Sequence, residues 1–251
     1  MPRLPRIPDL LTTANLGCGV ASILLASQGQ LTIACWLVFA GAGFDVLDGL
    51  AARALGGGSE LGKQLDSLAD MVTFGVAPGM LIVLGRPSWE TLLPEKATGW
   101  AVLAAALVLA IASAWRLARF NIDTRQAQGF LGLPTPANAL FWTFSVLLFS
   151  PMENYTARAD TSVLLRWGAR WMGSSAALLA TALVLGVLML SSVAYPSLKF
   201  KHFRWQSNEV MYTLLGLGLL LVLFNGTLAA PMILLLYILS PLWGKLFHKT
   251  A

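Results

Sequence analysis

The chain alternates long apolar runs with short polar breaks. A helix that crosses the hydrocarbon of a bilayer needs about 20 mostly apolar residues. Eight runs reach or approach that length, near 11–27, 31–53, 65–85, 98–118, 136–151, 174–193, 210–225 and 228–247. The fifth is short for a span. The pattern predicts an all-α, polytopic transmembrane helical bundle of about eight spans, one integral membrane domain over 1–251. A further amphipathic segment, in which Leu164, Leu165 and Trp167 alternate with Arg166 and Arg170, is expected to lie in the membrane interface.

Composition agrees with a lipid environment. Of the 251 residues, 57% are hydrophobic and only 12% charged, against about 25% charged in an ordinary soluble domain. The net charge of +5 therefore reads as basic loops near anionic headgroups and not as a nucleic-acid surface. With the N-terminus inside, the inner segments hold Arg3, Arg6, Arg53, Lys63, Arg116, Arg119, Arg125, Lys199, Lys201, Arg204, Lys245 and Lys249. The outer segments hold only Arg86, Lys96, Arg158, Arg166 and Arg170. That bias predicts both termini on the cytoplasmic side. The proline-broken start, MPRLPRIPDL, followed by an apolar run without a small-residue cleavage site, reads as a retained first helix. Cys18 and Cys35 both fall in apolar runs, which argues against a disulfide or a zinc site. Trp167, Trp171, Trp205 and Trp243 lie near span ends and are expected to be interface anchors.

Five of the twelve acidic residues lie between Asp45 and Asp70, in DVLDGLAARALGGGSELGKQLDSLAD. Carboxylates beside membrane-depth helices are costly and by default mark a functional site. Asp45 and Asp48 are three apart and Asp66 and Asp70 four apart, so each pair shares one face of its own helix. Gly56, Gly57 and Gly58 supply a turn that returns the second helix beside the first. Four converging carboxylates repel one another, and one or two divalent cations are the simplest neutraliser. An all-oxygen set favours Mg²⁺, Mn²⁺ or Ca²⁺ over zinc. Gly49, Ala52 and Gly62 leave room for a ligand, and Arg53 is placed to meet a phosphate. Metal ligands, an arginine and small residues at a membrane surface suggest a diphosphate substrate.

The motif D45-x2-D48-G49-x2-A52-R53-x8-G62-x3-D66-x3-D70 resembles, at all of its specified positions, the signature of the CDP-alcohol phosphatidyltransferases, integral membrane enzymes of phospholipid synthesis. Three further stretches resemble the phosphatidylserine synthase branch of that family. They are IPDLLTTANLGCG, with Asp9 where the branch usually has Asn; LDSLADMVTFGVAP; and RLARFN with FLGLPTPANA. LMLSSVAYPSLKFK is a weaker echo. The resemblance implies a core of six helices over about 5–205, a two-metal site of Mg²⁺ or Mn²⁺ and a homodimer. It leaves two additional spans over about 210–247. It implies that Asp45, Asp48, Asp66 and Asp70 bind metal and that Asp70 also acts as general base. Gly49, Arg53, Gly62 and Asp66 would line the nucleotide and diphosphate. CDP-diacylglycerol and L-serine are the implied substrates, at the inner (plasma) membrane of a bacterial-type cell.

Arg116 and Arg119, three apart at the cytoplasmic end of the fourth span, read either as positive-inside anchors or as a clamp for an acceptor's carboxylate. Asn15 is placed with them on the acceptor side. Pro134 and Pro136 separate the fourth and fifth spans and read either as a rigid turn or as a segment that shapes the acceptor pocket. With His202 and His248 outside the motifs, no Ser–His or Cys–His pair is evident, and direct transfer is expected. Three alternatives stand beside this reading: the same chemistry on glycerol 3-phosphate or inositol phosphate, a divalent-cation carrier, and a nonenzymatic lipid-binding scaffold. Carriers often show their acidic motif in two related repeats, whereas it occurs once here.

Overall fold

A computed structural model describes residues 6–86, 97–122, 130–150, 163–196 and 209–243. The helices are α1 (Ile7–Ser27), α2 (Leu31–Ala54), α3 (Glu60–Asp70), α4 (Ala77–Leu84), α5 (Ala97–Ile122), α6 (Thr135–Phe149), α7 (Val163–Gly173), α8 (Ser175–Leu190), α9 (Glu209–Asn225), α10 (Ala229–Ile238) and α11 (Ser240–Trp243). A π-helical stretch, Met71–Val76, joins α3 to α4 in one continuous rod. The chain is an all-α, polytopic membrane protein. Of the expected spans, α1, α2, the α3–α4 rod and α5 are long and apolar enough to cross a membrane, and α7 with α8 makes a fifth if that bent pair counts as one. α6, α9 and α10 are shorter apolar helices. The histidines, Trp205, and the loop cations Arg3, Lys96, Arg125, Arg158, Lys199, Lys201, Arg204, Lys245 and Lys249 lie outside the described residues.

Burial on α1 inverts the pattern of a soluble helix. Its inward stripe is Asp9, Thr12, Asn15, Gly19, Ser22 and Ala26, polar or small at every position. Leu10, Val20 and Leu24 face outward. In lipid, apolar side chains gain nothing by leaving the surface, so small and polar residues make the helix contacts. α1 lies along α2, tied by the Ser22 hydroxyl donating to the Ala34 carbonyl at 2.8 Å. Gly19 and Gly41 receive Thr73 of the π-helical stretch, and a Cβ at either position would collide with it. The Thr73 hydroxyl donates to the Asn15 carbonyl at 2.9 Å. π-Helical turns are rare and often sit at functional sites; this one begins directly after Asp70.

The turn between α2 and α3 follows its sequence. Gly56 and Gly57 have φ of +88° and +113°, conformations that disfavour a side chain. The Gly57 amide donates to the Ala52 carbonyl at 2.8 Å and closes α2. Ser59 then caps α3, its hydroxyl accepting the Gly62 amide at 2.9 Å.

Packing adds to two sequence expectations. Trp171, half-buried, stacks its ring on fully buried Trp142, centroids 5.6 Å apart, and its Nε1 donates to Thr181 at 3.1 Å. Trp167 does face outward, with the Arg170 guanidinium 5.6 Å above its ring. The Pro134–Pro136 segment is less a turn than a helix start, with Pro134 as the N-cap of α6 and Pro136 in its first turn, where a missing amide proton costs nothing. The segment before it forms a two-residue ladder that the sequence did not suggest. Phe130–Leu131 (β1) pairs antiparallel with Ala194–Tyr195 (β2).

α7 meets α8 at 88°. Arg86 fixes the corner, donating to the carbonyls of Met172 and Gly173 at 2.8 and 2.9 Å and to the Ser175 hydroxyl at 3.3 Å. These carbonyls belong to the last turn of α7, where a cation is favoured.

Candidate active site

α1, α2 and the α3–α4 rod bring the acidic residues together. One carboxylate oxygen from each of Asp45, Asp48 and Asp66 lies within 4.8 Å of the others. Asp70, one helical turn beyond Asp66, is buried and feels the charges of Asp45, Asp66 and Asp48. Both pairs from the sequence motif thus converge between α2 and α3, each of which packs on α1. Thr12 donates to the Asp48 carboxylate at 2.6 Å, and Asn15 Nδ2 donates to Asp70 at 3.2 Å. α1 therefore orients one carboxylate of each pair. Asn15 is a neighbour of Asp70, and neither is among the residues that line the cavity described next.

That cavity, about 360 Å³, opens beside Asp48 and Asp66. Asp9, Thr12, Gly49, Ala52, Gly62 and Lys63 are among its walls. A volume of this order suits a nucleotide-sized ligand. Gly62 faces Asp9 so closely that an added Cβ would lie 2.8 Å from Asp9 Oδ1. The other oxygen of Asp9 accepts the Arg6 amide at 2.9 Å, so Asp9 has little freedom to retreat. Gly62→Ala is accordingly expected to lower kcat/KM by on the order of 10- to 100-fold through displacement of cavity groups by a fraction of an ångström. Steady-state kinetics checks this, with thermal unfolding expected to change little because Gly62 lies at a half-exposed cavity wall. Arg53 is exposed, and its Nη1 lies above Gly49, 3.6 Å from where a Cβ would stand. The guanidinium thus folds back toward the cavity rim.

The donor set fits a divalent cation. Its atoms are all carboxylate oxygens, and Asp66 Oδ1 is buried without a hydrogen-bond partner among the described residues. A buried acceptor left unpaired is costly unless something else satisfies it.

The two arginines of RLARFN part company. Arg116 is 6% exposed, and its Nη1 donates to the Thr135 hydroxyl at 3.2 Å. Its Nε and Nη2 are buried with no partner among the described residues. It is in electrostatic contact with Asp70. Arg119 is exposed and donates to the carbonyl of Leu190, the last residue of α8, at 2.7 Å. Sequence reasoning passed over the residues that fasten α3 to α5: Lys63 Nζ reaches the Asn121 carbonyl at 3.1 Å, and Asn121 Nδ2 the Ser67 hydroxyl at 2.8 Å. It also passed over Ser59, although a serine directly after a glycine run and before a helix is a capping signal.

Two helices that each carry a pair of aspartates, α2 and α3, set against a first helix that orients one carboxylate of each pair, define a class of membrane transferase. The chain belongs to the CDP-alcohol phosphatidyltransferase family, whose model matches residues 6–192. It is 34% identical over 223 residues to the CDP-diacylglycerol–serine O-phosphatidyltransferase of Helicobacter pylori, covering 86% of this chain and 81% of that protein. The protein of the same name from Methanocaldococcus jannaschii is 33% identical over 198 residues, 78% of this chain and 77% of its own length. The archaetidylserine synthase of Methanothermobacter thermautotrophicus is 37% identical over 136 residues, 53% of this chain and 54% of its own.

Proposed function

We propose that this chain transfers the phosphatidyl group of CDP-diacylglycerol to the hydroxyl of L-serine, giving phosphatidylserine and CMP. The observation that carries the reading is buried Arg116, whose Nε and Nη2 have no partner among the described residues and whose charge is felt at Asp70 of the acidic cluster. A guanidinium with free donors in a buried site calls for an anionic ligand, and a carboxylate can take both at once. L-Serine presents a carboxylate two carbons from the hydroxyl that must reach Asp70.

In this reading Asp45, Asp48 and Asp66 hold divalent metal, Mg²⁺ or Mn²⁺, together with Asp70. The bound metal supplies electrostatic stabilisation of the diphosphate and of the leaving group. Arg53 and the small residues Gly49 and Gly62 admit the cytidine diphosphate moiety into the cavity bounded by Asp9 and Asp66. Arg116 holds the serine carboxylate, and Asn15 fixes the orientation of Asp70. Asp70 accepts the proton of the serine hydroxyl as its oxygen bonds to the lipid-bearing phosphorus. The bond from that phosphorus to the bridging oxygen breaks, and CMP departs with the electron pair. A single displacement inverts configuration at phosphorus.

Arg119 takes a different part from the one expected of it as half of a clamp. Its hydrogen bond to α8 supports a role in fastening that helix. Arg116→Lys is therefore expected to raise the KM for serine about tenfold or more, since a bidentate donor becomes a point charge. Arg119→Ala is expected to leave the KM for serine within about twofold and to act on stability instead. Initial rates with each substrate varied check both. Equal rises in serine KM would restore the two-arginine clamp.

The same proposal includes eight spans with the site and both termini on the cytoplasmic face of the plasma membrane, and a homodimer. The experiment that tests the function is a panel of acceptors offered to the purified protein with CDP-diacylglycerol, following CMP release. Serine should give CMP and phosphatidylserine. Release with glycerol 3-phosphate or inositol phosphate, and none with serine, would move the assignment to another acceptor.

A further inference from the structure

Asp9 lines the same cavity as Asp48 and Asp66 but is no part of the acidic cluster. It stands in the first turn of α1, only 9% exposed, at the position where the related branch usually has Asn. Its two oxygens have different surroundings. Oδ2 accepts the Arg6 amide at 2.9 Å and closes the start of the helix, which fixes the carboxylate. Oδ1 accepts no hydrogen bond from the described residues and is turned toward Gly62. A Cβ on Gly62 would stand 2.8 Å from Asp9 Oδ1 and 3.1 Å from Ser59 Oγ, so these two oxygens flank the same bare stretch of α3. The Ser59 hydroxyl accepts the Gly62 amide at 2.9 Å, and its own proton goes to no acceptor among the described residues.

Both helices set the distance from this pair to the acidic cluster. Thr12, one turn further along α1, holds Asp48 at 2.6 Å, and Asp66 lies one turn beyond Gly62 on α3. One turn is about 5.4 Å. An unpaired carboxylate oxygen in a largely enclosed wall calls for a donor and repels a phosphate. The part of a nucleotide that meets Asp9 must therefore carry O–H or N–H groups and no charge. With the diphosphate at Asp48 and Asp66, the group one turn away is the ribose, whose vicinal hydroxyls are adjacent donors; the base lies farther out. A carboxylate receives a ribose hydroxyl in the same way in dinucleotide-binding folds. Gly57 and Gly58, on the same wall with nothing packed where their side chains would be, leave space for the sugar.

We propose that Asp9 is a specificity-determining residue that accepts from the ribose hydroxyls of the cytidine moiety, with the Ser59 hydroxyl as its neighbour across Gly62. This rests on the assignment of the cavity to cytidine diphosphate made above. A carboxylate only accepts, whereas an asparagine amide also carries donors. The acidic residue therefore makes this chain more selective for an intact ribose than an asparagine in its place.

The test uses the purified full chain with CDP-diacylglycerol and its 2′-deoxy and 3′-deoxy analogues at saturating serine, in wild type, Asp9→Ala and Asp9→Asn. Wild type should lose about tenfold or more in kcat/KM with at least one deoxy analogue, the scale of one hydrogen bond to a charged group. Asp9→Ala should lower kcat/KM for CDP-diacylglycerol by a similar factor and bring that analogue within about twofold of it, so that the preference for ribose collapses. Asp9→Asn retains an oxygen for the Arg6 amide and serves if the Ala variant does not fold; its ribose preference should fall between the two. The KM for serine should stay within about twofold throughout. A wild type indifferent to both deoxy analogues overturns the proposal, as does a ribose preference that neither substitution reduces. An equal loss on all three substrates also overturns it, since that is the mark of a helix cap alone. So does a ribose preference that survives in Asp9→Ala while discrimination between CDP- and UDP-diacylglycerol is lost, which would move Asp9 to the base. If wild type releases no CMP from CDP-diacylglycerol with any acceptor, the proposed function fails first and this proposal falls with it, a result distinct from a failure of Asp9 alone.

Discussion

Asp70→Asn is expected to leave a folded protein whose turnover falls by about 10²- to 10⁴-fold, the range associated with a lost general base. The substitution keeps the shape of the side chain and its contact with Asn15. In the proposed reaction it removes the charge that would take the serine proton and one oxygen that would reach the metal. Asp70 is an enclosed member of the cluster: it is 8% exposed, pinned by Asn15 at 3.2 Å and followed at once by the π-helical stretch. Thr73, in that stretch, is tied to α1 through the Asn15 carbonyl. The same residue of α1 thus fixes both the carboxylate and the backbone after it. Single-turnover rates of CMP release at saturating substrates measure the effect. Activity within about tenfold of wild type would remove Asp70 from the role of base.

Removing divalent metal is expected to abolish turnover, with Mn²⁺ or Mg²⁺ restoring it. Three carboxylate oxygens within 4.8 Å of one another make a site that resists being empty. At that separation each pair of like charges repels by roughly 3 kcal/mol in a medium of effective dielectric about 20. The ion that offsets this repulsion would also meet the substrate diphosphate, so affinity for metal and for CDP-diacylglycerol should rise together. Dialysis against a strong chelator followed by stepwise return of Mn²⁺ measures both recovery and the thermal shift that ligand binding brings. Full activity in a stringent chelator would exclude a metal-dependent mechanism.

What could be read along the chain was what is local. The three- and four-residue spacings of the aspartates put each pair on one helix face, and the glycine run gave the return between α2 and α3. Apolar run lengths placed the helices, within a few residues for α1, α2 and α5. The third ran further: the sequence suggested a start near 65, and Ser59 begins it earlier by capping a polar first turn. What could not be read is what depends on partners distant in sequence. Nothing near Thr12 announces Asp48, 36 residues away. Gly62 read as a position that leaves room for a ligand, and nothing near it in sequence announces Asp9, which faces it across the cavity. Arg116 and Arg119 look alike in sequence. One points at Thr135 and the other at the end of α8, and only the fold separates them. The stacking of half-buried Trp171 on Trp142 likewise follows from the packing of α7 on α6 and not from anything near it in sequence.

The most direct test of the central claim is manganese binding to the purified protein in lipid-containing micelles, followed by electron paramagnetic resonance. The account predicts that free Mn²⁺ signal is lost on addition of wild-type protein, and that CDP-diacylglycerol alters the bound spectrum. The Asp45→Asn, Asp66→Asn double variant should leave the signal of free ion. The same binding in that variant as in wild type would contradict the claim that aspartates of two neighbouring helices hold the cation against the lipid diphosphate.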